Sequence, residues 1–142
     1  MATLQPVYRD RQVHSTIPGV VLLSYFAAAF FVLTLLADWA YIQTAILMWQ
    51  EFAEWLLLAG MVAGGLAVLL WLVGLIVYKT RPHWALVGVN ALVLILAFVN
   101  NLAHAADGWT AVVPLGIGLS IATVVLILIS AFLWRRVRVS HR

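Results

Sequence analysis

Two histidines, His14 and His83, stand 69 residues apart, each a few residues ahead of a long apolar run. Imidazoles presented by two facing helices can take both axial positions on a haem iron. With Asn90 two helical turns into the second run, they form a first candidate site, for a b-type haem that carries electrons. A second set gathers at the far ends of the runs. Glu51 and Glu54 are one helical turn apart, as are His104 and Asp107, and Asp38 falls at the same level. Carboxylates and imidazoles at i, i+3 spacing are how helical bundles hold metal ions, and the same groups can bind protons. The chain contains no cysteine, so disulfides, iron–sulfur clusters and thiol catalysis are excluded within it. It shows no phosphate loop, nucleotide fingerprint or zinc-hydrolase helix. Candidate Ser, His and Asp residues for a hydrolytic triad are scattered toward opposite ends of the runs, ~30 Å apart across a bilayer.

The elements that must position these residues follow from composition. The 142 residues are 65% apolar and 9% charged, with a mean hydropathy of +1.08. A soluble domain is nearer a quarter charged. This chain cannot cover itself with polar surface, and the excess apolar area calls for lipid. Four runs reach the ~20 residues a span needs, at 17–37, 55–78, 84–106 and 113–134, the second with a helix that begins earlier, near Ala45. Unpaired backbone groups are not tolerated in hydrocarbon, so the runs are helices. Pro18 and Pro114 sit near the starts of spans one and four, where a missing N–H costs little. Residues 1–13 form a polar segment without the features of a secretory signal, and 135–142 a basic tail suited to anionic headgroups.

Charge predicts the orientation. All eight Lys and Arg flank the face that holds both termini, whereas Asp38, Glu51, Glu54 and Asp107 flank the other. The positive-inside rule makes the basic face cytoplasmic, as in a bacterial inner-membrane protein, and explains a pI of 9.8 without nucleic acid. Trp39, Tyr41, Trp49, Trp55 and Trp109 on one face, and Tyr78, Trp84 and Trp134 on the other, read as interfacial belts.

Residues 14–38 align on 83–107 without a gap, matching His14 with His83, Gly19 with Gly88 and Asp38 with Asp107. The apolar matches carry little weight, but a His and an Asp agreeing at the two ends of a span do. A duplicated two-helix hairpin is expected, its halves related by a pseudo-twofold along the membrane normal. In the third span, His83, Asn90, Ala97, Asn101 and His104 fall within about 60° of one another, with Asn100 about 100° from His83. This stripe is expected to face the bundle, where its amides can bond neighbouring helices. Gly60 and Gly64 form a GxxxG, and Gly60, Ala67 and Gly74 recur every seven residues, marking close helix contacts within a bundle or a homodimer.

His14 with Pro18, Asp38 at the far end of the first span, the small-residue stretch AGMVAGGLA with Gly74, and His83 with Asn90 together resemble the bacterial membrane proteins grouped as domain of unknown function 2231. The resemblance covers roughly 14–134. It implies four spans and no settled activity. Fusion of some relatives to Rieske-type iron–sulfur domains implies a redox partner protein. The expectation is thus an all-α integral membrane four-helix bundle with both termini cytoplasmic. Its predicted function is haem b electron transfer through His14 and His83. The alternatives are a cofactor-free structural or partner-binding subunit, and a metal site at the non-cytoplasmic edge.

Overall fold

A computed structural model describes residues 17–79, 82–106 and 112–140. Helix α1 runs Pro18–Thr44, α2 Leu47–Tyr78, α3 Trp84–Ala106 and α4 Ile117–Ser140, the last preceded by a π-helical turn, Val112–Gly116. All four helices are long and apolar enough to cross a membrane. At 1.5 Å per residue the 32 residues of α2 span about 48 Å, well beyond a ~30 Å hydrocarbon core.

Local chemistry sets the ends. Pro18 occupies the first turn of α1, where its missing N–H costs nothing. Ala45 then takes a left-handed conformation (φ 53°) and donates its N–H to Tyr41 O at 2.7 Å. Only Ala45 and Ile46 separate α1 from α2, so the two must fold back as an antiparallel hairpin. Lys79, also left-handed (φ 49°), ends α2. Pro82 disfavours a helical residue before it, and α3 begins two residues later. Pro114 lies inside the π-helical turn rather than in α4, because Val113 there is extended (φ −122°, ψ 124°) and breaks the helix. Helix α4 continues through Arg135 and Arg136 to Ser140, beyond the apolar span expected to close near residue 134.

The helices form a ring in chain order. α1 packs on α2 and α3 on α4, while the α2–α3 and α4–α1 contacts close the bundle. The diagonal pair α1 and α3 runs in the same direction and hardly approaches backbone to backbone. Ala27, Phe31, Leu57, Ala63, Val93 and Ala97 fill the apolar part of the core. The GxxxG is used inside the bundle. A Cβ on Gly60 would lie 2.5 Å from the Phe31 ring of α1, and one on Gly64 would lie 2.7 Å from a Leu94 methyl of α3. These contacts set the α1–α2 register, with Phe31 beside Gly60 and Ala27 beside Gly64. Asp38 therefore comes level with Ala53.

Three glycine substitutions rank this packing. Gly60→Ala should lower resistance to denaturant in detergent by about 1–3 kcal/mol, because an aromatic ring must shift. Gly64→Ala should cost less, since Leu94 can turn a methyl aside. Gly65→Ala, with nothing within 4 Å, should be neutral or stabilising by up to about 1 kcal/mol. Equal losses at all three positions would refute this register.

Candidate functional site: a buried Asp–His pair

The lipid-facing surface carries large apolar side chains, and polar groups lie inside. Among the described residues the buried polar ones are Thr34, Asp38, Gln50, Asn100, His104, Ser120 and Thr123. All lie in the half of the bundle nearer the α1–α2 turn. The other half is packed with Ala27, Phe31, Ala63, Ala67 and Val93.

Asp38, expected at the non-cytoplasmic edge of the first span, is fully buried. The reason is that α1 continues six residues past it to Thr44, which draws Asp38 back into the bundle by more than one turn. On α3 the buried face is Val93, Ala97, Asn100 and His104, a 4–3–4 spacing that keeps one line of side chains toward the partners. The stripe centred on His83 and Asn90 does not hold over its whole length. His83 and Asn90 are exposed and Asn101 is half-buried, whereas Asn100, placed off the stripe, is 1% exposed.

Four side chains meet at the centre. His104 Nε2 lies 2.9 Å from Asp38 Oδ1, and its Nδ1 lies 3.0 Å from Asn100 O. Asn100 Nδ2 donates to Ser120 Oγ at 2.8 Å, and Ser120 Oγ donates to Asp38 Oδ2 at 2.5 Å. The Asp38–His104 contact crosses the diagonal from α1 to α3, and Ser120 brings in α4.

The donor inventory decides where the hydrogens are. A carbonyl oxygen only accepts, so Nδ1 of His104 carries a hydrogen. Ser120 Oγ accepts from Asn100, so its own hydrogen turns to Asp38 Oδ2. The remaining contact, Nε2 to Oδ1, is a bond only if one proton lies between the two atoms. The pair is then carboxylate with imidazolium, or carboxylic acid with neutral imidazole. It is net neutral either way.

The tertiary structure thus assembles Ser, Asp and His, which the sequence had placed at scattered positions. Their order, Ser120–Asp38–His104, is not that of a hydrolytic triad. A nucleophilic serine needs the imidazole as its base. Here Ser120 is bonded to the carboxylate, and both ring nitrogens are engaged elsewhere.

The other candidate residues are distributed as follows. Glu54 is half-buried and Glu51 exposed, while Asp107 lies outside the described residues. No group of three or more His, Asp or Glu among the described residues is placed to hold a metal ion. His14 lies outside the described residues. Asn90 bonds helices together: its Oδ1 accepts from Ser130 Oγ of α4 at 3.0 Å and its Nδ2 donates to Leu86 O. Gln50 Oε1 and Asn100 Oδ1 are buried and lack a hydrogen-bond partner.

Residues 16–142 match the family model described as predicted membrane protein, domain of unknown function 2231. The chain belongs to this family. No curated protein and no solved structure matches it. For this member of the family, the inward-facing polar residues are therefore the guide to activity.

Removing one partner of a buried pair strands the other, a cost of about 3–5 kcal/mol. Asp38→Ala and His104→Ala should each lose that much unfolding free energy in detergent. The double variant should lose clearly less than their sum. Ser130→Ala, at an exposed interhelical bond, should lose about 1 kcal/mol or less. Additive losses at Asp38 and His104 would show that the two side chains do not interact.

Proposed function

We propose that this chain is a proton-binding protein of the bacterial inner membrane, whose Asp38–His104 pair loads and unloads one proton from a single face. The carrying observation is that both side chains have 0% exposure and meet at 2.9 Å inside membrane-spanning helices. Magnitudes support a functional reading. Interhelical hydrogen bonds in membranes are worth about 0.6–2 kcal/mol, and Asn or Ser supplies them without a charge. Burying an ionisable pair costs several kcal/mol per ion, repaid only with good geometry. Helix glue alone does not call for Asp and His at this place, and ionisable groups inside membranes mark proton or ion sites.

One-sided access follows from the division of the core. The buried polar residues lie in the half nearer the α1–α2 turn and apolar residues fill the other half, so the turn side is the shorter polar route to the pair. The positive-inside rule places the basic end, with Lys79, Arg135 and Arg136, in the cytoplasm. The pair then communicates with the non-cytoplasmic face.

Infrared difference spectra of the protein in nanodiscs, recorded across a pH jump, test this reading. An exchange between carboxylate and carboxylic acid bands that disappears in Asp38→Asn and shifts in His104→Gln is expected. An Asp38 signal that stays unchanged over the whole pH range in which the protein remains folded would overturn it.

A second reading keeps His14 and His83 as axial ligands of haem b, with electron transfer to a redox partner protein. What supports it is their recurrence 69 residues apart, together with the parallel course of α1 and α3, which sets the start of both helices at one end of the bundle. Bound there, a haem would supply a one-electron couple. Protein purified after haem-supplemented expression should show a Soret band that is lost in His83→Ala. A spectrum without that band would dismiss the reading.

A further inference from the structure

The polar half of the core holds two acceptors that its own hydrogen bonds leave over. Asn100 Oδ1 shares a carbon with the nitrogen that donates to Ser120, so it sits within the Asp38–His104 cluster. Gln50 Oε1 belongs to a residue 4% exposed on α2. Leaving a buried carbonyl oxygen unpaired costs about 1–3 kcal/mol. An acceptor in a polar core is ordinarily satisfied by buried water, which typically makes about three hydrogen bonds.

The register shows where such water would lead. Asp38 is level with Ala53, whose small side chain is fully buried. Gln50 and Glu54 flank Ala53 and lie four residues apart, on one face of α2. Glu51 projects about 100° away from Gln50 and is exposed. Glu54 directly follows Ala53, so on α2 it stands within one residue of the level of Asp38. Around the pair, α1 presents Tyr41 as a further ionisable group one turn nearer the loop, 9% exposed. α4 presents only the hydroxyls Ser120 and Thr123.

We infer that Glu54 is the exchange residue of the site, linked to the Asp38–His104 pair by water held on Asn100 Oδ1 and Gln50 Oε1. The inference rests on the proton-binding reading and names the route it uses. In the unloading step the N–H bond at His104 Nε2 breaks and the proton passes to water. That water gives up a proton in turn, and an O–H bond forms on the Glu54 carboxylate. No electrons move. The pair is left as Asp38 carboxylate and neutral imidazole, protonated at Nδ1, while Glu54 becomes neutral. The net charge of the three groups is therefore unchanged. Glu54 then releases its proton at the face near the α1–α2 turn. Glu54 is a half-buried carboxylate, whereas Asp38 is fully buried, so the proton moves outward.

The experiment follows the hydrogen–deuterium exchange of the His104 ring by 15N NMR in nanodiscs, with its resonance assigned from His104→Gln. Glu54→Gln, nearly isosteric, should slow exchange at Nε2 at least tenfold. Gln50→Leu should slow it too, by removing a water acceptor. Glu51→Gln, the same chemical change on the exposed face, should leave the rate within twofold of the wild type. A Glu54→Gln rate equal to that of the wild type, with the His104 resonance still responsive to Asp38→Asn, overturns the route and leaves the pair standing. A His104 resonance that ignores Asp38→Asn overturns the proton-binding reading itself. Equal slowing by Glu51→Gln and Glu54→Gln would mean a general surface-charge effect, which also overturns the assignment of Glu54.

Discussion

A single proton held between Asp38 and His104 is the constraint around which this bundle is arranged. The two residues come from helices that are diagonal in the ring and run in the same direction, so no short loop or backbone contact brings them together. Side chains alone bridge the gap. Inside a membrane-spanning bundle a stranded partner is expensive. The satisfied geometry therefore selects the relative rotation and depth of α1 and α3. Ser120 extends the selection to α4 by occupying the second carboxylate oxygen, and Asn100 orients Ser120 by donating to it.

The rest of the interior makes this geometry attainable. Gly60 and Gly64 let α2 approach Phe31 and Leu94 closely, which sets the hairpin register that brings Ala53 level with Asp38. Small buried residues, Ala53 at 0% and Ala97 at 0% exposure, leave room for longer polar side chains one turn away. The buried polar side chains are thereby gathered in the half nearer the α1–α2 turn, and apolar side chains fill the other half.

Chemical identity and chemical role separate clearly here. Ser, Asp and His are the members of a hydrolytic triad, yet with the carboxylate in the middle they hold a proton in place and activate no hydroxyl. The exposed Asn90–Ser130 bond makes a similar point. It joins α3 to α4 as the buried Asn100–Ser120 bond does, but it is exposed, and it serves packing.

Run length, apolar content and landmark residues were enough to read four membrane-spanning helices and membership of the domain of unknown function 2231 family. These are one-dimensional properties, and hydrocarbon leaves the backbone no alternative to a helix. The site was legible only in part. His104 and Asp38 stood out as ionisable groups at one level, but their pairing did not. The internal repeat aligned Asp38 with Asp107 at an offset of 69, whereas the contact across the bundle joins residues 66 apart. An alignment reports equivalence, and equivalent residues on diagonal helices need not touch. The rotation of α3, which buries Asn100 in place of Asn90, and the depth of Asp38 were decided by tertiary packing. Every face of an apolar helix looks alike in sequence, and only its neighbours determine which face turns inward.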